Sequence, residues 1–198
     1  MSRPGLSYEQ APPFGLPLRF FLSAPLFLLA TALAAVPWAD AWTVSRWNPE
    51  SVALTHLVTL GFLGQVMMGA LLQMLPVVIG SPVPWPRLTG GLGHLGLTAG
   101  TPLLAASLGL GRPTLALAGM AFLTAGWMPF LAASAVSLVR ARAAATTSLY
   151  PMRKAWVALL LTLTLGIWLG GGLIGLWPSS AITALTGVQP RGGSWVGC

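Results

Sequence analysis

The chain contains five long apolar stretches that carry almost no charge, and this feature limits its fold more than any other. A helix needs about 20 such residues to cross roughly 30 Å of hydrocarbon. Of the 198 residues, 55% are hydrophobic and 7% are charged, whereas a soluble surface needs roughly a quarter or more charged residues. The sequence therefore predicts an integral membrane protein whose spans are helices, because helices satisfy their own backbone hydrogen bonds in lipid.

Prolines, glycines and basic residues separate the apolar stretches, and together they predict an all-α bundle of about five transmembrane helices over residues 17–177. The predicted spans are residues 17–38, 51–79, 88–110, 114–139 and 155–177. Residues 1–16 are predicted to form a cytoplasmic tail, and residues 178–198 a polar tail. Between the first two spans, a tryptophan-rich segment that holds Asp40 and Glu50 is expected to lie along the membrane interface.

The basic residues are shared unevenly between the two sides of the predicted bundle. Seven fall on the side of the amino terminus and three on the other: Arg3, Arg19, Arg87, Arg140, Arg142, Arg153 and Lys154 against Arg46, Arg112 and Arg191. Because cytoplasmic loops carry an excess of lysine and arginine, we predict a multi-pass protein with a cytoplasmic amino terminus. The net charge of +7 does not indicate a nucleic-acid partner, since the basic residues are scattered and form no basic face.

Few polar side chains fall inside the spans, and these are the candidates for chemistry. They are His56, Gln65, Gln73 and His94. No span contains a carboxylate and no internal repeat emerges, which disfavours an ion-coupled transporter. The single cysteine, Cys198, has no partner for an internal disulfide or a metal site. No catalytic residue is predicted.

His56 is the candidate metal ligand, because a neutral imidazole can bind heme iron. An apolar stripe of the kind a porphyrin could lie against is expected on its side of the helix. Counted at 100° per residue, that stripe consists of Leu60, Leu63, Met67, Ala70 and Met74. The alternative is that His56 hydrogen-bonds near the outer interface and that the methionines pack between helices.

His94 is not expected to share a heme with His56. The second span descends from the outer side and the third returns from the inner side, which separates the two Cα atoms by more than ~10 Å along the membrane normal. We interpret His94 as a partly wet interfacial histidine. The glycines around it, in "GGLGHLG", and those of the fifth span, including Gly166 and Gly170, suit close helix contacts.

The second span also carries a pattern beyond its histidine. The stretch "THLVTLGFLGQVMMGALLQMLPVVIGSPVPWPRL" has His56 near its outer end and closes with Pro76, Gly80, Pro82, Pro86, Arg87 and Leu88. This stretch resembles helix two of the heme-copper oxidase catalytic subunits, the family of cytochrome c oxidase subunit I. The stretch "LRFFLSAPLFLLATALA" in the first span resembles the opening helix of shorter bacterial relatives. The resemblance covers roughly residues 17–88.

The resemblance implies a bacterial inner-membrane protein in which His56 is an axial ligand of heme b. Met67 and Met74 are the further cofactor-binding residues predicted on the same span. The expected partners are membrane lipid and partner membrane subunits, with no nucleic acid. The role implied is electron transfer, or heme or gas binding.

The family builds its oxygen-reducing site from histidines on later helices, and this chain has no histidine after His94. It is therefore not expected to be a complete oxidase, or an enzyme on its own. The alternative function is a heme-free membrane scaffold or assembly subunit. The polar end of the chain leaves two interpretations open, the amino-terminal part of a longer protein or an ordinary polar tail.

Overall fold

The computed structural model describes residue 9, residues 11–141 and residues 146–173, and these residues are helical without a strand. The helices are α1 (Gly15–Ala35), α2 (Ala39–Val44), α3 (Pro49–His56), a π-helical segment (Leu57–Gly64), α4 (Gln65–Ile79), α5 (Pro86–Gly109), α6 (Pro113–Arg140) and α7 (Thr146–Leu173). The prediction of an all-α membrane bundle is confirmed. Most of the predicted amino-terminal tail and all of residues 178–198 lie outside the described residues.

Four stretches of helix among the described residues are long and apolar enough to cross a membrane. They are Gly15–Ala35, Pro49–Ile79, Thr114–Arg140 and Ser148–Gly172. α5 covers the remaining predicted span, and its 24 residues reach about 36 Å at about 1.5 Å per residue. Its many glycines make it less apolar than the other four. The chain is a multi-pass membrane protein.

Proline and glycine set the ends of these helices. Pro49, Pro86 and Pro113 stand in the first turn of α3, α5 and α6, where the fixed φ of proline fits and its missing N–H is not needed. Gly80 follows α4 with φ of 64° and Gly111 follows α5 with φ of 60°, a left-handed conformation that glycine adopts without a Cβ clash. The connections on either side of α5 are therefore short.

α5 and α6 form an antiparallel pair in which the two backbones touch. A Cβ added to Gly96 would lie 2.6 Å from the Cα of Gly126, and a Cβ added to Gly100 would lie 2.9 Å from the carbonyl oxygen of Gly119. Small residues allow such an approach inside a membrane, where van der Waals contact stabilises helix pairs. The prediction that the glycines of "GGLGHLG" serve helix contact is confirmed for Gly90, Gly93 and Gly96, whereas a Cβ on Gly91 would meet no atom within 4 Å.

Large side chains of α1 sit against glycines of the neighbouring helices. A Cβ on Gly69 of α4 would lie 2.8 Å from the Cβ of Phe20, and a Cβ on Gly90 of α5 would lie 2.7 Å from Leu16 Cδ1. The core that results also includes Met68, Leu72, Leu97, Trp127 and Phe130, all buried. α1 therefore packs along the groove between α4 and α5.

α7 lies against α6 and leaves much of its own surface open. The indole N–H of Trp156 is 3.2 Å from the carbonyl oxygen of Leu131 and 3.1 Å from Ser134 Oγ. A Cβ on Gly170 would lie 3.2 Å from Met120 Sδ, whereas a Cβ on Gly166 would meet no atom within 4 Å. The tight interface predicted for the fifth span is therefore not formed by Gly166 within the described chain.

Candidate functional site

His56 is the last residue of α3, and its ring is held by the helix that carries it. The Nδ1 atom lies 2.7 Å from the carbonyl oxygen of Val52, one turn earlier. Because a carbonyl can only accept, Nδ1 carries the hydrogen and donates it. Nε2 then keeps its lone pair, and this tautomer can bind a metal. The side chain is half-buried, so the imidazole lies at the surface of the bundle.

The segment that follows His56 departs from regular α-helix. Leu57–Gly64 is π-helical, a rare form that is found frequently at functional sites. One extra residue in a helix rotates the later residues by about 100° around its axis. The prediction that His56 shares one face with Met67 and Met74 assumed a regular α-helix, and that assumption does not hold over Leu57–Gly64.

Met67 and Met74 both lie on the outside of the bundle. Their side chains are 54% and 52% exposed, so neither is part of the described core. At about 1.5 Å per residue they lie roughly 17 Å and 27 Å from His56 along the span. Neither methionine lies beside His56, and the roles of His56, Met67 and Met74 in binding a heme stay predictions.

His94 is engaged elsewhere, between α1 and α5. Its Nε2 lies 3.2 Å from Ser23 Oγ, and its ring meets Phe20 edge-on with centroids 5.1 Å apart. The adjacent Gly93 packs against Met68, which is twelve residues after His56 in the sequence, or roughly 18 Å along the span. This separation along the span agrees with the expectation that the two histidines lie far apart, and whether they share a heme stays a prediction.

A polar group lies deep in the bundle where α4, α5 and α6 meet. Gln65 is fully buried, and its Nε2 donates to Thr98 Oγ1 at 2.9 Å. Among the described residues, four buried side-chain atoms have no hydrogen-bond partner: Gln65 Oε1, Gln73 Oε1, Thr101 Oγ1 and Trp127 Nε1. Sequence reasoning identified Gln65 as a polar group inside a span, but it missed Trp127, because one tryptophan in an apolar helix is usually a packing residue.

Replacing Gln65 with leucine should raise the stability of the protein. The change removes a buried carbonyl oxygen that has no partner, whose cost is about 1–3 kcal/mol, and keeps a side chain of similar size. Thr98 can then donate its hydroxyl to a backbone carbonyl one turn earlier in its own helix, as threonines in membrane helices do. Thermal unfolding of the purified Gln65→Leu variant, followed by circular dichroism, measures the change. A clear loss of stability would mean that Oε1 is hydrogen-bonded in the folded protein.

The described residues hold no group of three or more His, Cys, Asp or Glu side chains that could bind a metal ion. A heme differs, because the porphyrin supplies four ligands and the protein supplies one or two.

Comparisons with protein-family models, with curated proteins and with solved structures found no match. The heme-copper oxidase resemblance therefore stays a prediction that depends on the residues of the first two spans.

Proposed function

We propose that this chain supplies one axial ligand, the Nε2 of His56, to a b-type heme and that it takes part in electron transfer or in heme or gas binding. The observation that carries the proposal is the 2.7 Å hydrogen bond between His56 Nδ1 and the Val52 carbonyl oxygen. Ligating histidines almost always donate their other ring N–H to a carbonyl, a carboxylate or water, which fixes the tautomer and the ring orientation. His56 is already arranged in this way.

The surroundings of His56 also suit a flat apolar group. Leu60 is half-buried and Leu63 is 44% exposed, so apolar surface is available within two turns of the histidine. A bound heme would supply one-electron redox chemistry. The chain's own contribution would be to hold the iron through His56 and to keep water from that side of the ring.

Only one nitrogen ligand is available to such a heme from the described residues. His94 contacts Ser23 and Phe20 and lies far along the bundle from His56. In the proposal, the second axial position is therefore left open, filled by a methionine, or filled by another subunit. The chain alone would not reduce oxygen.

Titration of the purified protein with hemin tests this coordination. We expect one heme per chain, with a ferric spectrum of high-spin type that becomes low-spin when imidazole is added, because imidazole can fill the open axial position. A low-spin spectrum without imidazole would mean that this chain supplies both ligands. Absence of binding would favour the second candidate function.

The second candidate is a heme-free scaffold or assembly subunit, and the open face of α7 favours it. Thr162 and Gly166 are small and exposed at i and i+4 on that helix, a spacing that suits contact with a helix of another subunit. This candidate predicts that replacement of His56 by glutamine leaves association with partner subunits unchanged. Blue-native electrophoresis of membranes that express His56→Gln measures that association.

We further propose a bacterial inner-membrane location with the amino terminus in the cytoplasm. The antiparallel helices bring the basic residues at the ends of α5, α6 and α7 to the end of the bundle where α1 begins. Ser137 Oγ, for example, donates to the carbonyl oxygen of Pro82 at 3.0 Å, which joins the last turn of α6 to the connection before Arg87. A basic end of this kind is expected on the cytoplasmic side.

A further inference from the structure

One face of α7 combines cations with exposed apolar side chains. We name it the α7 groove, a shallow depression lined by Tyr150, Arg153, Lys154, Val157, Ala158 and Leu161. These positions succeed one another at three- and four-residue spacing, so they lie on one side of the helix. The two cations stand near its start, and the apolar side chains occupy the next two turns. Val157 is 50% exposed and Leu161 is 56% exposed.

The two cations are held in place but are not neutralised. Arg153 Nη2 donates to the carbonyl oxygen of Leu138 at 3.1 Å, which fixes the guanidinium beside the carboxyl end of α6. The ammonium of Lys154 lies 4.4 Å from the centre of the Tyr150 ring. Neither cation forms an ion pair with a described residue. The groove therefore keeps two positive charges that can attract an anion.

The same end of the bundle is basic beyond the groove. Arg140 ends α6 and is exposed, and Arg87 lies next to Pro86 at the start of α5. Of the three acids, Asp40 in α2 and Glu50 in α3 lie at the opposite end of the bundle, and Glu9 precedes α1, where the cations outnumber it. The two ends thus differ in charge, and the α7 groove opens on the basic one.

We propose that the α7 groove binds an anionic phospholipid. The headgroup phosphate would lie at Arg153 and Lys154, and an acyl chain would lie along Val157, Ala158 and Leu161. From Lys154 to Leu161 the helix rises about 10 Å, which leads from headgroup level into the hydrocarbon. A soluble anion would use the cations but gain nothing from the apolar turns that continue from them. Basic pockets at the cytoplasmic ends of membrane helices bind anionic headgroups by this combination.

Native mass spectrometry of the detergent-purified full chain tests the proposal, with phosphatidylglycerol and phosphatidylcholine that have the same acyl chains. We expect phosphatidylglycerol adducts to dominate. Each cation near a headgroup contributes about 1 kcal/mol, so Lys154→Gln should weaken binding about fivefold and the double variant R153Q/K154Q about 25-fold. Arg112→Gln, a change of an exposed arginine at the opposite end, is the matched control and should leave the adducts unchanged.

Lys154→Gln should not disturb the fold, because the ammonium contacts only the Tyr150 ring among the described residues. The circular dichroism spectrum of this variant should therefore match that of the unchanged protein. Equal binding of the two lipids, or an equal loss in Arg112→Gln, would overturn the proposal. Displacement of the lipid by inorganic phosphate at a similar concentration would show a site for free anions and would overturn it as well. Leu161→Gln should weaken binding of the lipid, and unchanged binding would contradict the acyl-chain position.

Discussion

Alanine in place of Gly96 should destabilise the bundle more than any other single-methyl change in the described chain outside its turns. The added Cβ would lie 2.6 Å from both the Cα of Gly126 and the carbonyl oxygen of Phe122. Both are backbone atoms, so no side chain can rotate away, and α5 and α6 must separate along their length. Overpacking of this kind costs typically 1–3 kcal/mol, and we expect the upper part of that range. Unfolding of the purified variant in mixed micelles, followed by circular dichroism, measures it.

Gly166→Ala is the matched control for that experiment. The chemical change is the same and the residue lies within a helix, but a Cβ at Gly166 meets no atom within 4 Å. Alanine is preferred over glycine in helices by about 1 kcal/mol, so this variant should be as stable as the original protein or slightly more stable. Similar stability of the two variants would show that α5 and α6 do not touch through their backbones.

His56→Ala should abolish binding of heme, the largest functional effect that we expect of any substitution. In the proposed function His56 supplies the one nitrogen ligand that the described residues offer, so nothing replaces the lost Fe–N bond. His94→Ala should keep the heme, because His94 faces Ser23 and Phe20 between α1 and α5. The heme content of each purified variant, measured as its pyridine hemochromogen, gives the comparison.

Loss of heme in His94→Ala but not in His56→Ala would show that His94 is the ligand. Loss of heme in both variants would indicate a ligand pair or a shared structural effect. Circular dichroism separates these outcomes from misfolding. Removal of the His56 ring also breaks its hydrogen bond to Val52, but that bond lies within one helix. We therefore expect His56→Ala to fold.

The sequence contains enough information to predict the helices and many of their ends. Long apolar stretches can be satisfied in lipid only as helices, and residues such as Gly80 and Pro86 mark where one stops and the next begins. The glycines of "GGLGHLG" also predicted close helix contact. The sequence did not predict which atoms meet there, because contact between Gly96 and Gly126 depends on the relative position of α5 and α6 along their axes.

The geometry of the candidate site was less predictable. The π-helical segment Leu57–Gly64 has no distinctive composition, so the count of 100° per residue from His56 to the two methionines later in the span assumed a regular helix that the structure does not have there. The contact between Ser23 and His94 joins residues far apart in the sequence, and no local sequence pattern predicts it. The bond from His56 to Val52 spans one turn, but whether a histidine makes it depends on its rotamer.

The reduced-minus-oxidised visible spectrum of the protein purified in detergent from its native membranes tests the central claim most directly. The account predicts the absorption bands of a b-type heme in that spectrum, from a heme bound through His56. A well-folded, helical preparation with no heme signal, which also fails to bind added hemin, would contradict it.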